Sequence, residues 1–112
     1  MELTDKNFNK EVIKPNKLAL VMFWGSWCPV CKRMEPMLRE MKKDLEEMGI
    51  KVGTINIDQN PHASAEYKVA GTPTFYIFDE DGDAIDMAVG AQTEDQLRNL
   101  VELNVDGSRG NG

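Results

Sequence analysis

The residues of this chain best suited to carry chemistry are Cys28 and Cys31, its only cysteines. Pro29 and Val30 separate them, so the two thiols lie three positions apart. A disulfide that closes so short a loop adds little stability in the chain-entropy model. Secreted domains of this size that depend on disulfides usually carry roughly four or more cysteines at wider spacings. The pair is therefore predicted to serve chemistry, either exchange with another disulfide or the binding of a metal.

Metal binding is the weaker of these two possibilities. A structural zinc site takes roughly four nitrogen or sulfur ligands, whereas the chain offers two cysteines and one histidine, His62. One chain could complete such a site only with carboxylates, unless two chains shared it. His62 is interpreted as a solvated residue in the first turn of a helix. We therefore expect no metal.

The segments on either side of the cysteines predict where the pair lies in the fold. The near-continuous apolar run Leu18–Trp24 is typical of a central strand that is covered on both faces of a sheet. Beyond Cys31, apolar residues recur at spacings of three and four and predict an amphipathic helix that ends at Gly49. These residues, interpreted as core, are Met34, Met37, Leu38, Met41, Leu45 and Met48. Pro36 is predicted to kink the helix. The thiols are thus placed on a strand-to-helix turn.

The rest of the chain continues the alternation of helices and strands. Helices are predicted over Thr4–Ile13 with a Thr or Asp cap, over His62–Tyr67 with Asn60 as cap and Pro61 at its first position, and over Thr93–Leu103. Strands are predicted over Lys51–Ile57, Thr74–Phe78 and Ala84–Val89, the last two joined as a hairpin. The pattern indicates one α/β domain over residues 1–105 and a flexible polar tail over 106–112.

Composition limits the classes of function. The chain has 112 residues, of which 41% are hydrophobic and 29% charged, as expected for one globular domain. Its net charge of −6 disfavours broad contact with a phosphate backbone. It has no apolar run of the roughly 18 residues that a membrane span needs and no signal-peptide pattern at its start. We expect a cytoplasmic monomer that binds neither nucleic acid nor membrane.

Four separated motifs, in order, resemble the thioredoxin family. They are Phe23–Lys32 with its Trp-Cys-Pro-Val-Cys sequence, Asn56–Pro61, Gly71–Thr74 and Val89–Ala91, and the resemblance covers roughly residues 1–105. It implies a thioredoxin fold, a central mixed β-sheet flanked by helices, with a cis bond between Thr72 and Pro73. It also implies that a substrate disulfide docks in a shallow groove beside the cysteines. The expected docking residues are Trp27, Pro29, Val30, Thr72, Pro73, Gly90 and Ala91.

The resemblance and the position of the cysteines together predict a mechanism. Cys28 lies where the helix is capped, so its thiolate is favoured by free amides and by the helix dipole. Cys28 is expected to be the exposed attacking thiol and Cys31, at the third helical position, the shielded resolving one. The resemblance implies reduction of protein disulfides with electrons from a thioredoxin reductase or a related flavoprotein. No cofactor is expected beyond the redox-active disulfide.

Three departures from the family pattern leave alternatives open. Pro29-Val30 stands where ordinary thioredoxins have Gly-Pro, Met22 and Thr54 replace a buried Asp and its Lys partner, and Thr72 replaces an aliphatic residue. A proline directly after the first cysteine is similar to glutaredoxin, so a specialised oxidoreductase with a less reducing potential is one alternative. Another is a module that shares an iron–sulfur cluster across a dimer through Cys28, or that docks a partner regardless of redox state.

Overall fold

A five-stranded mixed sheet forms the centre of the computed structural model, which describes residues 1–110, with side chains through residue 105. The strands are β1 (Glu2–Leu3), β2 (Ala19–Trp24), β3 (Lys51–Asn56), β4 (Thr74–Phe78) and β5 (Ala84–Val89). Their order is β1-β3-β2-β4-β5. The first three run parallel, β4 is antiparallel to β2, and β5 is antiparallel to β4. The predicted mixed sheet, with β2 at its centre, is confirmed.

Strand β2 is buried because both faces of the sheet are covered. On one face its residues pack with apolar side chains of helices α1 (Pro29–Glu47) and α3 (Glu94–Gly110); the buried members include Leu20, Met22, Leu38, Met41, Phe75, Leu97 and Val101. On the other face they pack beneath the N-terminal segment and helix α2 (Pro61–Glu66); the buried members include Phe8, Val12, Val21, Phe23, Ile55, Ala63 and Phe78. A strand between two such layers has no polar face, so its sequence shows no alternation.

Helix α1 begins and ends close to the predicted positions. Pro29 is its first residue, and Gly49 follows its end with a φ of +82°, a left-handed conformation that glycine adopts without strain. Pro36 lies inside the helix, where the kink stays a prediction. The placement of Met48 in the core was wrong: the helix ends at Glu47, and Met48 beyond it is 53% exposed.

The N-terminal segment differs from the predicted helix over Thr4–Ile13. Only Asn9–Ile13 is helical, with π-type geometry, and a short strand, β1, precedes it. The predicted Thr or Asp cap was wrong: the N-cap position is Phe8, without a side-chain hydrogen bond, and the bond that Thr4 Oγ1 accepts from the Asn7 amide at 3.2 Å belongs to the turn before the helix. Strand β1 has too few residues to show a period of two, and it forms because Leu3 pairs with Ile55 of β3 and is buried.

Asn60 occupies the N-cap position of α2, as predicted, but its side chain makes no capping hydrogen bond, and Asp5 supplies that bond instead. The Asp5 carboxylate accepts the amides of His62 and Ala63 at 3.2 and 2.9 Å. Asn60 instead accepts the amide of Asp5 and donates to the carbonyl of Asn56, both at 2.9 Å. Pro61 is the first helical residue and His62 is exposed in the first turn, as predicted. A cap from a residue 57 positions away leaves no local pattern in the sequence.

The C-terminal helix is α3, Glu94–Gly110, which begins where predicted. Leu97 and Val101 are buried in the core, whereas Leu103 is exposed. The helix extends beyond its predicted end at Leu103 into the segment predicted as a tail, residues 106–112, whose flexibility stays a prediction; residues 111–112 lie outside the described residues. Within the described part of the chain, no helix has the length and apolar composition needed to cross a membrane.

Candidate active site

The two cysteines form a disulfide at the start of α1. Their Cα atoms are 5.3 Å apart. Cys28 is the N-cap of the helix, and its Sγ accepts a hydrogen bond from the Cys31 amide at 3.2 Å. Pro29 occupies the first helical position, where a missing amide proton costs no helical hydrogen bond. The predicted placement of the sulfur of Cys28 among free helix amides is therefore confirmed.

Burial does not distinguish the two cysteines in the disulfide form. Cys28 is 3% exposed and Cys31 2% exposed, so the prediction that Cys28 is the exposed thiol was wrong for this state. The sulfur of Cys28 faces inward and accepts the amide of Cys31. The adjacent residues Trp27 and Pro29 are exposed at the surface. What separates the two residues is their position, because Cys28 caps the helix and Cys31 lies within it.

The loop before β4 lies at the same end of the sheet as the cysteines. Strand β2 pairs antiparallel with β4, with Phe23 opposite Thr74, so the residues before Thr74 run past the end of β2 that leads to Cys28. The bond between Thr72 and Pro73 is cis, and Pro73 is buried. Among the described residues, Thr72 Oγ1 is buried without a hydrogen-bond partner.

The segment after β5 also reaches this end of the sheet. Val89, the last residue of β5, pairs with Thr74, and the Gly90 amide donates to the Pro73 carbonyl at 2.8 Å. Gly90 has a φ of +92°, which a residue with a side chain would adopt only under strain. Ala91 is exposed and Gly90 is half-buried. The structure thus brings the predicted docking residues of three separate segments to one end of the sheet.

A carboxylate that the sequence interpretation did not single out completes this region. Asp58, which follows β3, accepts hydrogen bonds from Trp27 Nε1 at 3.4 Å and from Ser26 Oγ at 3.3 Å. Its own amide donates to Oδ1 of the buried Asn56 at 2.8 Å. Asp58 was cited only as part of the Asn56–Pro61 motif. Because Asp58 follows β3, a strand parallel to β2, the sequence could have predicted that it lies at the same end of the sheet as the cysteines.

The strand behind the disulfide carries no ionisable side chain. Met22 of β2 is 1% exposed and packs in the core beneath α1. In the sheet it stands opposite Thr54 of β3 and Phe75 of β4. Over the described residues, no group of three or more His, Cys, Asp or Glu side chains is arranged to hold a metal ion. The disulfide is therefore the reactive group that this end of the sheet presents.

Comparisons with known proteins agree with this arrangement. The family model described as Thioredoxin matches residues 1–103. Thioredoxin from Buchnera aphidicola subsp. Schizaphis graminum is 36% identical over 105 residues, which are 94% of this chain and 95% of that protein. Thioredoxin from Rickettsia bellii is 36% identical over 103 residues, or 92% of this chain and 96% of that protein. Thioredoxin 2 from Chlorobaculum tepidum is 32% identical over 104 residues, 93% of this chain and 94% of that protein.

Proposed function

The chain belongs to the thioredoxin family and is a thiol–disulfide oxidoreductase, and we propose that it works as a reductant of disulfides in other proteins. The observation that carries the proposal is the position of Cys28. Its sulfur caps α1 and already accepts the Cys31 amide, so the same contact is available to a thiolate. A lowered thiol pKa at a helix N-terminus is the usual basis of nucleophilic cysteine chemistry.

The proposed reaction moves two electrons and two protons from the cysteine pair to the substrate. The thiolate of Cys28 attacks one sulfur of the substrate disulfide, forming a mixed disulfide and releasing the other sulfur as a thiolate that takes up a proton. The thiol of Cys31 then loses its proton and attacks the sulfur of Cys28. This step releases the second substrate thiol and forms the Cys28–Cys31 disulfide. The oxidised state of the cycle is the one that the structure contains.

Substrate disulfides are proposed to dock at the end of the sheet beside the cysteines. The surface would be formed by the predicted residues Trp27, Pro29, Val30, Thr72, Pro73, Gly90 and Ala91. The hydrogen bond from the Gly90 amide to Pro73 and the pairing of Val89 with Thr74 support this, because they hold the two loops together. Return of the pair to the dithiol form is assigned to a thioredoxin reductase or a related flavoprotein, in a cytoplasmic setting.

The function is tested by insulin reduction with dithiothreitol as the regenerating reductant. We expect the parent to accelerate precipitation of the insulin B chain, and a Cys28→Ser, Cys31→Ser double variant to have no activity above dithiothreitol alone. Equal activity of the double variant would show that the cysteines are not the redox centre and would favour a docking module. Iron in the freshly purified protein would favour a cluster-binding module instead.

A further inference from the structure

Two contacts fix the orientation of Trp27, although 64% of this residue is exposed beside the disulfide. Its indole Nε1 donates to Asp58 Oδ1 at 3.4 Å. The same ring lies against Gly25, where an added β-carbon would stand 2.8 Å from Cε2 and 3.0 Å from Nε1 of the indole. A residue with a β-carbon at position 25 would therefore displace the ring from this position.

The carboxylate that receives the indole is itself held in place. Ser26 Oγ donates to its second oxygen at 3.3 Å. The Asp58 amide donates to the side chain of Asn56, a buried residue at the end of β3. Trp27 is thus connected through Asp58 to the parallel strand next to β2, and its ring is fixed before any substrate arrives.

We propose that Gly25 and Asp58 are positioning residues that hold Trp27 in the orientation required for docking protein disulfides. The inference rests on the proposed function, because it explains how that function selects its substrates. A side chain fixed in advance loses less conformational entropy when a partner binds. Aromatic side chains are also frequent anchors of protein interfaces. Gly25 and Asp58 act through Trp27 and leave the chemistry of the cysteine pair unchanged.

The first test compares a protein disulfide with a small one. Insulin and bis(2-hydroxyethyl) disulfide are reduced by the full chain, and kcat and KM are measured for Asp58→Ala and Gly25→Ala. We expect KM for insulin to rise about threefold to tenfold, the effect of losing one preorganised side chain. The kcat for insulin and the rate with the small disulfide should stay within about twofold of the parent, because no interaction specific to the transition state is removed.

Matched variants separate the effect of the Trp27 ring position from the effect of the Asp58 charge. Asp58→Asn removes the charge but keeps an oxygen that accepts the indole N–H, so it should retain the parental KM. Glu40→Ala removes one negative charge from the exposed face of α1 and should also have the parental KM for insulin. In a Trp27→Ala background the added methyl group of Gly25→Ala no longer meets the ring and should have no further effect on KM. This non-additivity is expected only when both residues act through Trp27.

A second measurement reports the ring directly. The indole N–H signal of Trp27 in a ¹⁵N–¹H spectrum should shift in Asp58→Ala and Gly25→Ala and stay near its parental position in Asp58→Asn. The inference is overturned if Asp58→Ala and Gly25→Ala shift the indole signal but keep the parental KM for insulin. It is also overturned if Asp58→Asn raises KM as much as Asp58→Ala, or if these variants slow reduction of the small disulfide as much as reduction of insulin. If the parent itself fails to reduce insulin, the proposed function fails and this inference with it.

Discussion

At the scale of single residues, one buried side chain and one buried hydroxyl near the disulfide are unusual for their positions. Met22 fills a core site where the family pattern has a carboxylic acid. Thr72 holds its hydroxyl in a buried place without a partner among the described residues. The first substitution removes a possible proton acceptor, and the second leaves a polar atom unsatisfied. Each has a measurable consequence for stability or rate.

Replacement of Met22 by Asp should destabilise the fold at neutral pH. A carboxylic acid in this buried place has a folded-state pKa above its unfolded value of about 3.9, because burial disfavours the charged form. The penalty is absent below that pH, grows as the pH rises past it and is constant above the folded pKa, at about 1.4 kcal/mol per pKa unit of difference. The measurement is urea denaturation of the disulfide form at pH 3 and pH 7 (about four units apart, spanning the unfolded pKa).

The same variant tests how Cys31 loses its proton. With methionine in the strand, the parent should reduce insulin slowly near neutral pH and faster as the pH rises, since no side chain there can act as base. Asp at position 22 should flatten this profile, whereas Met22→Asn, polar but not titratable, should not. A Met22→Asp variant as stable as the parent at neutral pH, with the same rate profile, would show that this position is not coupled to the thiols.

Replacement of Thr72 by Val should stabilise the disulfide form. Val keeps the shape of the side chain and removes the unpaired hydroxyl, whose burial costs about 1–3 kcal/mol. We expect the free energy of unfolding to rise by about 1 kcal/mol in urea denaturation. Thr74→Val is the matched control: the hydroxyl of Thr74 donates to the Gly71 carbonyl at 2.6 Å, so its loss should destabilise the fold. The same effect from both substitutions would contradict the assignment.

At the scale of elements, the starts of α1 and α2 show two ways of satisfying a helix N-terminus. In α1 the cap is the reactive sulfur of Cys28. In α2 it is the carboxylate of Asp5, which reaches the helix from the N-terminal segment. The first arrangement serves the chemistry, and the second attaches the N-terminal segment to α2.

The dipeptide Pro29-Val30 should make this couple less reducing than ordinary thioredoxin, for which the potential is about −270 mV. An N-cap side chain accepts from the amides of the second and third helical positions. Here these are Val30 and Cys31, and both amides remain for the thiolate of Cys28 because the proline is at position 29. In a Gly-Pro sequence the proline removes the amide of the second position.

The test of this difference is a Pro29→Gly, Val30→Pro double variant equilibrated with glutathione. One hydrogen bond to a charged group is worth about 1.5–3 kcal/mol, and about 30 mV corresponds to about 1.4 kcal/mol for a two-electron couple. The variant should therefore be more reducing than the parent by about 30 mV or more. A potential equal to or higher than that of the parent would refute the argument.

Loss of the distant cap should weaken the fold around α2. Asp5→Ala leaves the amides of His62 and Ala63 without their acceptor, and we expect the free energy of unfolding to fall by about 1 kcal/mol. Asp5→Asn, which keeps a side-chain oxygen, should lose less. Lys6→Ala changes the exposed neighbouring residue and serves as the control. If Asp5→Ala were as stable as Lys6→Ala, the carboxylate would not be an effective cap.

At the scale of the whole molecule, contacts within a short stretch of sequence were predicted well and distant ones poorly. The unbroken apolar run of β2 and the helical spacing after Cys31 are local signals, and both elements formed as predicted. The cap on α2 and the bond from Trp27 to Asp58 join residues 31 or more positions apart, and only the assembled sheet brings them together. The burial of Cys28 in the disulfide form likewise follows from no spacing rule in the sequence.

The measurement that tests the central claim most directly is capture of the mixed disulfide. Reduced Cys31→Ser protein is mixed with insulin, quenched with acid and analysed by mass spectrometry, with Cys28→Ser in parallel. If Cys28 attacks protein disulfides and Cys31 resolves the product, the Cys31→Ser protein accumulates an adduct with one insulin chain on Cys28, and the Cys28→Ser protein accumulates it far more slowly. Adducts that form equally fast on both variants, or on neither, would contradict the proposed roles of the pair.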